Sequence, residues 1–380
     1  MPKKPLEAIK EHFSKVSDPR KDRTKDHKLI DIIVIAICAI ICGAEGWTDV
    51  EIFGNSKVIW LKTFLELPNG IPSHDTFGRV FGMIDAQQFQ LAFWEWVWAV
   101  NDIVQGQIVN LDGKCLRGSD DQKLGKRAIY MVSAWAVENE IVLGQRKVDE
   151  KSNEITAIPE LLKLLNLSGC IVTIDAMGTQ TAIAKTIQEG NADYVLSVKE
   201  NQGHLFEDIS VLFGVDQEQN FKYASLDYKK TVNKGHGRIE VRECWSTSNP
   251  EYLNLIRGVQ NWADLRSIAM VVSTRIMDGK ESKFTRYYIS SLLSNAERIL
   301  QVVRKHWAIE NELHWVLDMA LNEDHSRVRK DQSPENLAVL RHIALNLLKQ
   351  EKTAKGGVRA KQFQAALKED YLLKVLAAGN

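Results

Sequence analysis

Two short apolar runs, each stopping at an aspartate, constrain this chain more than anything else in it. Ile108-Val109-Asn110-Leu111-Asp112-Gly113-Lys114 reads as a buried strand that ends on a carboxylate, with Gly113 there to let the backbone turn. Cys170-Ile171-Val172-Thr173-Ile174-Asp175-Ala176 repeats the pattern. Side by side, the two strands would bring Asp112 and Asp175 together at one edge of a sheet. A third acid, Glu310 in the helical run from Val302 to Leu321, would complete a site for a divalent metal. An aspartate after a strand also serves as a plain turn or cap residue, so spacing alone leaves both readings open.

The segments around these runs fix the expected fold. After the first strand, Ala128 to Val137 and Glu140 to Val148 are β-rich and joined at Glu138-Asn139, which predicts a hairpin. Helices are expected over Thr156 to Leu165, Gly178 to Glu189 and Gly203 to Phe213, with strands at 170–175 and Asp193 to Val198. The order β-β-β-α-β-α-β-α is that of an RNase H-like core, a mixed sheet flanked by helices in which the first and fourth strands are neighbours. The expected divisions are a helical N-terminal domain (1–104), the first part of the core (105–213), a β-rich insertion (214–293), the helical second part of the core (294–349) and a basic C-terminal tail (350–380). No Pro/Ser-rich linker or internal repeat interrupts them.

In the N-terminal part, Leu29 to Cys42 is apolar nearly all round and predicts a buried central helix. Asp49 to Leu65 predicts a second helix. Pro68-Asn69-Gly70-Ile71-Pro72 then breaks the chain, and Ser73 can cap a helix whose Phe77, Val80, Phe81 and Ile84 share one face. This layout fits a helix-turn-helix-like DNA reader with His74 and Arg79 exposed. From pattern alone, a plain helical bundle is the reading to prefer. Phe89, Phe93, Trp94, Trp96 and Trp98 on the following helix read as core or interface.

Composition excludes several classes. Lys plus Arg and Asp plus Glu number 49 each, so the chain is not uniformly basic, although residues 1–28 carry nine cations against five anions and residues 327–380 eleven against five. Basic ends around a neutral middle suit a polyanionic partner, as they suit an ordinary solvated surface. The five cysteines are odd in number and lie mostly in apolar runs, without a CxxC pair, which fits reduced thiols in a cytoplasmic protein. The most apolar segment, Ile32 to Cys42, falls well short of the roughly 20 residues that span a bilayer. No membrane partner is expected.

The helix around Glu310 carries a polar face next to a buried one. Ile309, Leu313, Val316 and Ala320 make the expected buried stripe, while His306, Glu310, His314 and Asp318 recur every four residues beside it. Such a face suits the wall of an active site, or simple i,i+4 pairing. Phosphodiester transfer needs charge stabilisation on both the attacking and the leaving oxygen, which two Mg²⁺ ions about 3.5–4 Å apart supply. Hard carboxylate donors select Mg²⁺ or Mn²⁺. Asp112 would bridge the ions, Asp175 would hold one, and Glu310 the other.

Taken together, these residues resemble the insertion-sequence transposases of the DDE type with an RNase H-like core, specifically the group of H-repeat-associated proteins of Rhs elements. The resemblance rests on Gly70-Ile-Pro-Ser-His-Asp-Thr-Phe77, Asp112-Gly-Lys114, Asp175-Ala-Met-Gly-Thr-Gln180, Lys199-Glu-Asn-Gln202, His236-Gly-Arg-Ile-Glu-Val-Arg242, Tyr287-Tyr-Ile-Ser-Ser-Leu292, and His306 to Asp318 with Glu323-Asp-His-Ser-Arg327. It implies that Asp112, Asp175 and Glu310 are the catalytic triad and that the protein cuts and rejoins transposon ends. One departure stands out. Better-known relatives carry Tyr, Arg and Lys around the glutamate, where this chain has Val303, His306 and Leu317.

The implied reaction is attack of an activated water on a phosphodiester at the transposon end, followed by in-line attack of the freed 3′-hydroxyl on target DNA. No covalent protein–DNA intermediate is needed. Lys114, Lys199, His236, Arg238, Arg242, Arg304, Lys305 and His306 are the candidates for contacting DNA. The partners expected are double-stranded DNA, as end repeats and as target, and a second copy of the chain, since two ends must be held together. The protein would be cytoplasmic and nucleoid-associated when bound to DNA. Two other readings use the same residues: a catalytically inactive, transposase-derived DNA-binding protein, and a stand-alone Mg²⁺ nuclease that cuts without joining.

Overall fold

The computed structural model describes residues 5–101, 105–120, 127–148, 153–218, 226–235 and 237–378. The chain forms two compact units, interleaved in sequence. The first comprises Met1–Ile103, Gly113–Lys151 and Glu310–Asn380, the second Val104–Asp112 and Ser152–Ile309.

The first unit begins with six helices: α1 (Pro5–Phe13), α2 (Leu29–Ile41), α3 (Trp47–Ser56), α4 (Val58–Leu61), α5 (His74–Met83) and α6 (Ala86–Val100). Every residue of α2 from Asp31 to Ile41 is buried, as its all-round apolarity requires. Asp31 is tolerated there because its carboxylate accepts the Leu67 amide at 3.0 Å. The helix expected over Asp49 to Leu65 is instead two, broken at Lys57. Ser73 caps α5 by accepting the Thr76 amide, and Phe77, Val80 and Phe81 are buried. Phe89, Phe93, Trp94 and Trp96 of α6 are core.

Strand β1 (Ile108–Leu116) links the units, and the hairpin β2 (Ile129–Ala136) and β3 (Ile141–Lys147) follows in the first. Gly144 of β3 is required by packing, since a Cβ there would stand 2.3 Å from the Trp94 indole nitrogen. The strand expected to stop at Asp112 runs on to Leu116, with Gly113 inside it and not in a turn. It is the partner strand that stops.

In the second unit come α7 (Glu154–Leu164), β4 (Ile171–Ile174), α8 (Thr181–Glu189), β5 (Asp193–Val198), α9 (His204–Glu218), β6 (Asp227–Gly235), β7 (Arg238–Thr247), α10 (Pro250–Leu253), β8 (Ser267–Met277), β9 (Lys280–Ser290) and α11 (Ala296–His306). The strands lie in the order β1-β4-β5-β9-β8-β7-β6. β1, β4 and β5 are parallel, and β9 returns antiparallel against β5, so the strand-rich stretch after α9 extends the same sheet. In the first unit the order is β3-β2-β1. This mixed sheet with first and fourth strands adjacent is the RNase H-like arrangement expected from the element order. In β7 the residues from Arg238 to Glu243 are all half-buried.

The chain then returns to the first unit through a π-helix (Ile309–His314), α12 (Trp315–Leu321), α13 (Ser333–Gln350), α14 (Val358–Leu367) and α15 (Glu369–Ala377). α13 is buried along nearly its whole length and packs on α2, α5, α6 and β3, making it the axis of the unit. Within 350–380, Tyr371, Leu372, Val375 and Leu376 are buried. All five cysteines are free. Among the described residues no helix is long and apolar enough to cross a membrane.

Candidate active site

Asp112 and Asp175 are placed by strand register. β1 and β4 pair as Ile108↔Ile171, Val109↔Val172, Asn110↔Thr173 and Leu111↔Ile174, so the two aspartates take the next, adjacent positions where β4 ends. The β-branched, buried residues below them suit a parallel pair covered on both faces. Both aspartates are half-buried, so the carboxylates sit at the rim of a closed core.

Asp175 is further fixed by its own loop. Its Oδ1 accepts the amides of Met177 (3.0 Å) and Gly178 (3.3 Å), an Asx-turn that orients the carboxylate. Gly178 has no substitute here, because a Cβ would lie 2.3 Å from the Ile174 side chain. A second loop is stapled to the first: Asn201 donates to the Ala176 carbonyl (2.9 Å) and Gln202 to that of Thr179 (2.5 Å), while the Thr179 hydroxyl reaches the Ser197 carbonyl (2.6 Å). The two motifs Asp175–Gln180 and Lys199–Gln202 are thus one structure. They line a cleft of about 750 Å³ together with Phe206, Phe284 and Arg286, and exposed Lys199 stands on its edge.

The end of α11 reaches the same place. Asn110 of β1 donates to the carbonyls of Lys305 (2.8 Å) and His306 (3.2 Å), supplying donors to a helix C-terminus that would otherwise lack them. His306 Nδ1 lies 3.2 Å from the Thr173 hydroxyl. Desolvation pushes the imidazole down to about 4, against the pull of Asp175 and with the help of Lys199. The imidazole is therefore neutral at pH 7, so His306, a candidate for contacting DNA, would offer it a hydrogen bond and not a charge. The Arg286 guanidinium stacks 5.4 Å from the Trp307 ring centre. Burial, then the charge of Asp175, raises the carboxyl pKa of Glu154, at the start of α7. Sequence reading missed Glu154 and Arg286, and it named Asn201 and Gln202 only as part of a motif, without their partners in the Asp175 loop.

Glu310 is exposed and belongs to the π-helix, not to the regular α-helix expected. π-type hydrogen bonds reach one residue further than α-type ones and shift the phase of the helix beyond them. The expected stripe accordingly fails at Val316: Ile309, Leu313 and Ala320 are buried as foreseen, but Leu317 replaces Val316. Such π segments are frequent at functional sites.

The other candidates for DNA contact divide sharply. Lys114 Nζ, far from open, lies 2.6 Å from Asp318, 3.0 Å from Glu323 and 3.0 Å from Asp324, with the side chain 11% exposed. Burial works against the charge, but the three carboxylates overcome it and raise the ammonium pKa. Its charge is spent internally. Arg238 and Arg242 share Glu240, at 3.0 and 2.5 Å, and Arg304 donates to Asn233 (3.3 Å). Lys305 is half-buried, Lys199 exposed, and His236 lies outside the described residues.

As donors, Asp112 and Asp175 suit Mg²⁺ or Mn²⁺, being hard carboxylates on a rigid edge with room beside them for water and phosphate oxygens. Among the described residues, no group of three or more His, Cys, Asp or Glu stands close enough to enclose an ion.

With this geometry in hand, comparison with known proteins is informative. Residues 104–347 match the transposase DDE domain family, and residues 10–97 match the domain associated with it. The chain is 41% identical to "Putative transposase YncI" of Escherichia coli O157:H7, over 98% of this chain and 95% of that one. It is 39% identical to "H repeat-associated putative transposase YhhI" of Escherichia coli strain K12, over 99% of both. Among solved structures, a piggyBac transposase synaptic complex with hairpin DNA aligns over 99% of this chain and 82% of its own, with a TM-score of 0.48 and 12% identity.

Proposed function

Because this chain belongs to the transposase DDE domain family, we propose that it cuts the ends of an insertion sequence and joins them to target DNA in a metal-dependent reaction. The observation that carries this reading is the register that sets Asp112 beside Asp175 where β4 stops, at the mouth of the Lys199 cleft. Asp112, Asp175 and Glu310 are the proposed ligands of Mg²⁺ or Mn²⁺, two ions per site, and the proposed catalytic residues. Bound cations would neutralise charge on the attacking and leaving phosphate oxygens.

The chain's own residues do the rest. The Asx-turn and the staple from Asn201 and Gln202 hold the Asp175 carboxylate in one orientation before DNA arrives, so little reorganisation is left for the reaction. Lys199, Arg238, Arg242, Arg304 and Lys305 are the proposed phosphate contacts of this unit; Lys114 and His306 are not among them. Residues 1–104 are proposed as the helical DNA-binding domain, 105–213 with 294–349 as the catalytic core, 214–293 as an insertion, and 350–380 as a basic C-terminal segment. Double-stranded DNA is the proposed partner, bound by two copies of the chain.

The test is incubation of purified protein with Mg²⁺ and a labelled duplex carrying the end of its element, beside Asp175→Asn and Glu310→Gln. Expected are end cleavage and a strand-transfer product, both lost in the variants while DNA binding persists. Cleavage by the Asp175→Asn protein at the wild-type rate would sink the assignment. Cleavage without joining would identify a nuclease. Specific binding without cleavage in Mg²⁺ and Mn²⁺ would favour the non-catalytic DNA-binding reading, for which the buried apolar Val303 and Leu317 and the neutral His306 already speak.

A further inference from the structure

The first unit contains a second basic site, built from parts of the chain some 250 residues apart in number and unrelated to Asp112 or Asp175. After α12, residues 326–331 form an extended strap that runs to the start of α13. One end of the strap lies on Gly118, so closely that a Cβ there would come within 2.0 Å of the Ser326 carbonyl oxygen, and Arg329 donates to the Gly118 carbonyl at 2.9 Å. The other end is tied to α5: the Gln332 amide donates to the Gly82 carbonyl (3.3 Å), and Asn336 donates to the carbonyls of Phe81 (2.8 Å) and Ile84 (3.0 Å). Asn336 itself is completely buried, so this second anchor is part of the core.

Between its anchors the strap lines one wall of a cleft of about 660 Å³, and α5 and the start of α3 line the other. Four full cations face this cleft, Arg79, Arg327, Arg329 and Lys330, against two carboxylates, Asp75 and Asp331. Arg329 is used by the anchor. Arg79, Arg327 and Lys330 are at least half-exposed, and among the described residues none of the three makes an ion pair. Arg79 has only a 3.3 Å hydrogen bond to the Thr76 hydroxyl. His74, at the same rim, is already engaged by Glu51 at 2.6 Å. Holding three unneutralised cations around one concavity is unfavourable unless an anion comes to it, and the double anchoring means that little order has to be gained on binding.

We propose that this cleft, formed by α5 and the 326–331 strap, grips the phosphate backbone of double-stranded DNA through Arg79, Arg327 and Lys330. The inference rests on the DNA-processing role proposed above and adds to it a DNA-contacting surface within the first unit. Cations that grip phosphate oxygens supply affinity and register without sequence preference. α5 thereby contributes one wall of a composite site; it need not act as an independent recognition helix.

The experiment is binding of a labelled duplex of arbitrary sequence to the full chain, as a function of salt, for wild type and for Arg79→Gln/Arg327→Gln/Lys330→Gln. Each phosphate left ungripped lowers the slope of log K against log[salt] by about 0.9, so the triple variant should be shallower by about 2–3. If the triple variant fails to fold, Arg327→Gln and Lys330→Gln taken singly should each lower the slope by about 0.9. A wild-type protein that binds duplex with a slope the variants leave unchanged overturns the cleft alone. Loss confined to structured RNA, with duplex DNA binding intact, would overturn it in favour of an RNA surface. Wild-type protein that does not bind duplex DNA at any salt overturns the DNA-processing role and the cleft with it.

Discussion

Lys114 and Lys330 carry the same charge and lie in the same unit, yet the fold uses them in opposite ways. Lys114 is enclosed by Asp318, Glu323 and Asp324, which fastens β1, two residues beyond Asp112, to α12 and to the turn after it. Lys330 stands on a strap whose anchoring is done by its neighbours, Arg329 and Gln332. A cation met by three carboxylates has become part of the scaffold, and one met by none is available to a ligand. The basic excess of residues 327–380 therefore says little about function until partners are assigned.

The contrast can be broken at its strongest point first. Lys114→Met would take the shared cation from Asp318 and Glu323 and leave Asp324 with Arg117 at 3.6 Å, and should cost about 3–5 kcal/mol in denaturant unfolding; a cost under about 1 kcal/mol would show that the cage is merely a surface ion pair. Partial rescue by Glu323→Gln in the same chain would assign the loss to charge and not to packing.

Acid should test the cage next. Burial, followed by the charge of Lys114, pushes His342 down to about 3 and His314 to about 4. Both values lie below that of an unfolded histidine, so between about pH 6.5 and these values the unfolded chain binds more protons than the folded one. Stability is thus full above about pH 6.5 and falls as the pH drops toward about 4, by up to about 1.4 kcal/mol per pH unit for each histidine. His342→Gln should remove one histidine's share of that slope, and an acid limb identical to wild type would contradict the assignment.

Smaller effects belong to the strap. Gly118→Ala sets a methyl against the Ser326 carbonyl and should cost about 1–3 kcal/mol as the strap shifts, with weaker duplex binding as the accompanying sign; unchanged thermal midpoint and binding would show that the strap gives way freely. Arg327→Gln, outside the core, should alter stability by no more than about 0.5 kcal/mol. A larger loss would mean that this arginine, like Lys114, is part of the scaffold.

Asp112 and Asp175 were legible in the sequence because two apolar, β-branched runs each stopped at an acid, and β-strands that neighbour one another in a core must carry such runs in register. The capped helix at Ser73, the buried Leu29–Ile41 helix and the β2–β3 hairpin were legible for similar local reasons. Glu310 was singled out as a candidate, but the π-helix that carries it was not foreseen, since the phase error that betrays it, Leu317 buried in place of Val316, is a single step within a short stretch. The role of Lys114 could not be read, because its three partners follow it by 204 to 210 positions.

What the sequence determined by itself was most of the elements, the two apolar runs that each reach an aspartate and the family to which the chain belongs, all of which depend on hydrophobic periodicity and local motifs. The tertiary structure alone decided which charges are consumed and which are offered: that Lys114 is caged, that His306 is neutral beside Asp175, that Asn201 and Gln202 brace the Asp175 loop, and that Arg79 meets Arg327 and Lys330 across one cleft. The physical reason is that the effect of a charge depends on distance and desolvation, and both are set by residues hundreds of positions away in the chain.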